Sequence, residues 1–124
     1  MPTLFVYGTL RLGSKNEYAA QLANTARHIG SATIPGRLYR VQHYPALAPP
    51  QSNQDLVLGD VFEGVTPELL ERLDEYESAE YSRQLGEVTM PDGRTLTAYF
   101  YRYDLPTGHL EWIPSGDWKL SARF

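Results

Sequence analysis

The feature that most constrains the fold is a pair of strand-forming runs set head to tail. "YSRQLGEVTM" (Tyr81–Met90) and "RTLTAYFYRY" (Arg94–Tyr103) are joined by Pro91-Asp92-Gly93. Asp-Gly between two such runs is a tight hairpin signal, so the chain contains an antiparallel ladder. The other elements must be fitted around it. Leu4–Tyr7 is a short apolar strand stopped by Gly8. Ile29–Ile34 is a weaker strand, followed by a turn at Pro35-Gly36. "RLYRVQHY" (Arg37–Tyr44) alternates without a clean apolar face, and "LVLGDVFEGV" (Leu56–Val65) is a strand in which Gly59 marks a bulge or a close approach. "PALAPPQSNQ" (Pro45–Gln54) and "WIPSGDW" (Trp112–Trp118) are predicted as loops, on their proline and polar content.

Two helices complete the chain. Tyr18, Ala19, Leu22, Ala23 and Ala26 share one helical face, and Asn16 is placed to cap it. Thr66-Pro67 opens the second helix, with Glu68 favourable in its first turn and Leu69, Leu70, Leu73 and Tyr76 on its apolar face. Helices and strands do not alternate regularly, which argues against a doubly wound parallel sheet. The prediction is a single α+β domain over residues 1–124, with a mixed, curled sheet.

Composition bounds the function. The chain has 124 residues, a net charge of −4 and no polybasic run, so it lacks the concentrated basic surface that nucleic acid requires. It has no cysteine, hence no disulfide, thiol nucleophile or thiolate metal site. No secretory pattern or membrane-spanning apolar run is present, and a cytoplasmic location is expected. Nine tyrosines stand against four phenylalanines. Tyrosine brings a packing face and a polar tip, which suits strand faces and also the walls of polar pockets.

Two stretches carry chemistry. Gly8-Thr9-Leu10-Arg11-Leu12-Gly13 has the glycine spacing of a phosphate loop, but Ser14-Lys15 reverses the order such a loop needs and sets the lysine one position late. The remaining readings are an ordinary turn and a concavity of main-chain N–H groups that binds another anion. The second stretch is "LDEYESAEY" (Leu73–Tyr81), where Asp74, Glu75, Glu77 and Glu80 crowd the end of a helix. That end favours cations, so the cluster is either a solvated acidic surface or the setting of one desolvated carboxylate that works as a general base. His28, His43 and His109 have no metal-ligand spacing and are read as packing or surface residues. A triad of Ser115, Asp117 and a histidine lacks the nucleophile elbow that would support it. "IPSGDW" is read as a turn pinned by aromatic packing that could close a pocket from one side.

Taken together, "FVYGTLR", "YPAL", "GDVFEGV", "LDEYESAEYSRQ" and "IPSGDW" resemble the gamma-glutamylcyclotransferase-like superfamily, in particular its small YtfP/AIG2-like branch. The resemblance runs over nearly the whole chain in the family's order. It implies an α+β fold with a small β-barrel, flanking helices and a cavity beside the Tyr-Gly-Ser/Thr-Leu loop. It further implies that Tyr7, Gly8, Thr9 and Leu10 hold a γ-glutamyl group, largely through main-chain donors. By the same resemblance Glu77 is the catalytic glutamate and Tyr81 lines the pocket. Thr9 replaces the commoner serine, Ser78 stands where many members have glycine, and the spacing from Glu77 to Tyr81 is short. Glu80, next to Tyr81, is an alternative base.

The implied reaction is intramolecular aminolysis of a γ-glutamyl amide, giving 5-oxoproline and a free amine or amino acid, with no metal or organic cofactor. The partner implied is a small γ-glutamyl substrate, with neither nucleic acid nor membrane. The competing reading is a non-catalytic module of the same fold that binds a small carboxylate or another protein. A nucleotide hydrolase would instead require phosphate binding at the glycine loop.

Overall fold

Leu4, Phe5 and Val6 are all buried, which is why a run without polar alternation is a strand here: it is covered on both faces. The computed structural model describes residues 2–8, 10–11, 16–42, 44–77 and 79–121. In chain order its elements are β1 (Leu4–Val6), α1 (Glu17–Thr25), β2 (Arg27–Pro35), β3 (Arg37–Val41), β4 (Tyr44–Ala48), β5 (Leu56–Glu63), α2 (Pro67–Tyr76), β6 (Tyr81–Thr89), β7 (Thr95–Tyr103), β8 (Glu111–Ile113) and α3 (Trp118–Ser121). The architecture is α+β, as expected. Five strands close a barrel in the order β1-β5-β2-β6-β7, and β4-β3-β8 form a separate three-stranded sheet.

Closure depends on β1. It pairs antiparallel with β5, Phe5 opposite Val61, and parallel with β7 through Leu4 and Tyr99. The predicted hairpin is the longest antiparallel ladder, running from Tyr81↔Tyr103 to Thr89↔Thr95. Gly59 is a close-approach point: a Cβ there would overlap the Val6 carbonyl oxygen and press on the Phe5 ring. The register shift lies elsewhere, on β2 between His28 and Gly30.

Two expectations are corrected. Pro45–Gln54 is not all loop, because Tyr44–Ala48 forms β4 against β3. Proline there suggested irregular chain, but β4 is an edge strand, where a missing N–H leaves no ladder bond unmade. The turn into β4 is made by Gln42, with φ 55°, a left-handed conformation without the glycine or asparagine that would have announced it. The second correction is that "WIPSGDW" is only partly loop. Trp112 and Ile113 lie in β8, paired with Tyr39 and Leu38, and Trp118 opens α3.

Both predicted caps form. The Asn16 side chain accepts from the N–H groups of Tyr18 and Ala19, and the Thr66 hydroxyl accepts from Leu69 N–H. Leu69, Leu70 and Leu73 seat α2 against Leu4, Val6, Leu22 and Phe62, which places the end of α2 beside the end of β1. No helix among the described residues is long and apolar enough to cross a membrane.

Candidate active site

A cavity of about 360 Å³ opens where β1, the β3–β4 turn, the end of α2 and the β6–β7 hairpin meet. Gly8 ends the strand on its floor. A Cβ at Gly8 would overlap Cγ of Pro45, so β1 and the β3–β4 turn can approach this closely only through glycine. The chain then reverses: Arg11 N–H donates to Gly8 O at 3.0 Å. Tyr7, Gly8 and Leu10 all line the cavity. Thr9, the fourth residue of the predicted cradle, lies outside the described residues, as do Leu12, Gly13, Ser14, Lys15, His43 and Ser78.

Across from this turn stands Glu77. Helix α2 ends at Tyr76, and Glu77 is its C-cap, its N–H bonded to Leu73 O at 2.9 Å. Two ties hold the helix end. The Tyr101 hydroxyl donates to Asp74 Oδ1 at 2.6 Å, and Asn16 Nδ2 donates to the Tyr76 hydroxyl at 2.8 Å. The Glu77 side chain therefore enters the cavity from a fixed direction, among Tyr7, Tyr76, Tyr81 and Tyr101. Among the described lining residues none is Lys, Arg or His. Burial thus acts on Glu77 unopposed and pushes its carboxyl from the ordinary 4.5 up to about 7. The negative end of α2 works in the same direction.

The phenols around Glu77 are held protonated. Burial, followed by the nearby Glu77 charge, raises Tyr7 and Tyr81 well above their usual range. Burial and the bond to Asp74 do the same for Tyr101. Each hydroxyl is engaged as a donor: Tyr7 to Tyr101 O at 2.6 Å, Tyr81 to Pro45 O at 2.7 Å, and Tyr101 to Asp74. They fix the walls, while Glu77 is the group poised to exchange a proton near neutrality. Glu80 also lines the cavity but is exposed.

The remaining sequence candidates lie elsewhere. His28 contacts Asp60 at 3.3 Å and packs at a tilt against Phe62, and His109 is exposed. Asp117 pairs with Arg11, and Ser115 Oγ accepts from Asp117 N–H, so the imagined triad does not assemble among the described residues. None of Ile113–Trp118 lines the cavity. No group of three His, Asp or Glu that could hold a metal occurs among the described residues. Sequence reasoning missed Tyr101 and the β3–β4 turn, and it read Asp74 only as one acid of the cluster, not as the partner of Tyr101. The tyrosine excess pointed to Tyr101 as one of nine, with nothing local to single it out.

Residues 4–120 match the model of the family described as gamma-glutamyl cyclotransferase, AIG2-like. The chain belongs to that family. It is 33% identical over 118 residues to the gamma-glutamylcyclotransferase family protein YtfP of Escherichia coli, covering 93% of this chain and 94% of that one. It is 32% identical over 132 residues to AIG2-like protein D of Arabidopsis thaliana, covering 96% and 80%. The solution structure of YtfP superposes with a TM-score of 0.68 over 94% of this chain and 95% of its own. YkqA of Bacillus subtilis superposes at 0.77 and 28% identity, over 96% of this chain but only 40% of that longer one. The family's fold is thus present from the first strand to the last helix.

Proposed function

We propose that this family member is a γ-glutamyl cyclotransferase with Glu77 as its general acid and base. A single observation carries the reading: Glu77, a carboxylate lining the cavity and shifted by burial to about 7, stands across from the turn that begins at Gly8. The substrate's α-ammonium cannot attack until it loses a proton. Glu77 takes that proton, the amine nitrogen bonds to the γ-carbonyl carbon, and the amide bond to the leaving amine breaks. Glu77 returns that proton to the departing nitrogen as the C–N bond breaks, and the ring nitrogen, now an amide, sheds its second proton through Glu77 to the released amine, so that lactam N–H and ammonium leave and Glu77 ends ionised as it began. The products are 5-oxoproline and a free amine or amino acid.

Main-chain donors of the turn, with Tyr7 and Leu10 beside them, hold the α-carboxylate and fold the glutamyl chain back on itself. Positioning is most of the task, because nucleophile and electrophile belong to one molecule. A cavity of about 360 Å³ lies at the small end of ligand pockets, suited to a glutamyl head with its leaving group toward the mouth. Tyr81 shapes the wall by holding Pro45.

The test is 5-oxoproline release from a panel of γ-glutamyl dipeptides and γ-glutamylamines by wild type, Glu77→Gln and Glu80→Gln. Release that vanishes only in Glu77→Gln supports the reading. Release that survives in Glu77→Gln and vanishes in Glu80→Gln moves the role to Glu80. A folded wild type that releases nothing turns the cavity into a binding site for a small carboxylate.

A further inference from the structure

Beside the turn and outside the cavity lining, Arg11 is almost fully buried and grips two carboxylates from distant parts of the chain. Its Nε donates to Asp60 Oδ2 on β5 at 3.2 Å, and its Nη1 donates to Asp117 Oδ1 at 3.0 Å. The side chains of Arg11, Asp60 and Asp117 are 8%, 9% and 15% exposed. The other Asp60 oxygen contacts His28 Nε2 at 3.3 Å, so Asp60 is itself fixed.

Asp117 is anchored just as firmly. The preceding Gly116 accepts from Leu58 N–H at 2.8 Å and sits at φ 67° where a Cβ would overlap the Leu56 carbonyl oxygen. Asp117 Oδ1 also accepts from Lys119 N–H at 3.0 Å. The segment after β8 is therefore seated on β5 and presents one carboxylate to Arg11. Arg11 is also the residue whose N–H closes the turn onto Gly8 O, one position after Leu10 in the cavity wall. A charged side chain held at two points restricts the backbone it grows from, and charge-assisted bonds in a nearly dry setting are the strong kind.

We propose that Arg11 and Asp117 are positioning residues: the C-terminal segment braces, from outside the cavity lining, the turn on which the substrate's α-carboxylate rests. The "IPSGDW" segment thus acts on the site without lining it. The catalytic consequence rests on the cyclotransferase reading, whereas the brace itself does not.

The experiment compares wild type, Asp117→Ala and Asp117→Asn by hydrogen exchange and by 5-oxoproline kinetics. Asp117→Ala should speed exchange of the Arg11 amide by about tenfold or more, as expected for local opening after loss of a charge-assisted bond. Amides of the β6–β7 hairpin should keep their protection. KM for the γ-glutamyl substrate should rise by about tenfold while kcat changes less, because the defect lies in holding the substrate. Asp117→Asn, which retains an acceptor oxygen, should recover most of both. Unchanged exchange at Arg11, a uniform rise across the hairpin, or a faster Arg11 amide with unaltered KM would each overturn the proposal. If wild type releases no 5-oxoproline, the cyclotransferase reading falls and the exchange data alone decide the brace.

Discussion

Two sets of sequestered carboxylates flank the same turn, and the fold treats them in opposite ways. Asp60 and Asp117 lie outside the cavity lining and share the Arg11 guanidinium. Glu77 lies within that lining, with no cation among the described residues of its cavity. Paired carboxylates serve structure, because breaking such a pair strands a buried charge. An unpaired one is costly to ionise, and that cost moves its titration toward neutral pH. The same residue class is thus an ion-paired rivet on one side and a carboxyl shifted toward neutrality on the other, and the placement of a single arginine separates the two.

The sharpest test of the reactive side is Glu77→Gln. Turnover should fall by about 10²–10⁴-fold, the usual worth of a positioned general base, while the circular dichroism spectrum is unchanged. The rivet is tested by Arg11→Met, which leaves two carboxylates facing each other. It should cost roughly 3–5 kcal/mol in urea unfolding, the penalty for stranding one side of a buried ion pair.

pH separates the two regions further. The proposed base works only when ionised, so on that reading kcat/KM should rise with pH through about 7 and fall below it. Stability should move the other way. The folded value lies above the ordinary 4.5, so the contribution of Glu77 is complete below pH 4.5 and is lost as pH rises through about 7. At pH 8, Glu77→Gln should therefore be more stable than wild type, by up to about 3 kcal/mol, with no gain at pH 4. A variant that is dead yet sturdier would place the burden of ionisation on this residue. The smallest effect is expected from Glu80→Gln: the side chain is exposed, and turnover should stay within about threefold of wild type, as for most surface changes.

What was legible in the sequence was what short-range chemistry dictates. Asn16, Thr66-Pro67 and Asp92-Gly93 mark a cap, a helix start and a turn through groups a few positions away. β4 was hidden because its proline is tolerated only by virtue of its edge position, a property of the assembled sheet. Glu77 was legible through its family pattern. From charge and spacing alone it was one acid among several, since its distinction is burial among Tyr7, Tyr81 and Tyr101 from other parts of the chain. Arg11 and Asp117 were both in plain view, 106 positions apart, and no local signal joins them.

The closure of the barrel by β1 sets an order of events during synthesis. The Tyr7 hydroxyl donates a hydrogen bond to a carbonyl 94 positions further along, and β1 has β7 as one of its two neighbours. Pairings so distant in sequence form slowly compared with the hairpin between β6 and β7. A nascent chain that has emerged only as far as the cap of α2 already carries Glu77, but the phenols of Tyr81 and Tyr101 that desiccate it do not yet exist. In that unfinished molecule Glu77 is an ordinary surface acid, and its altered acidity arrives with the last strand of the barrel.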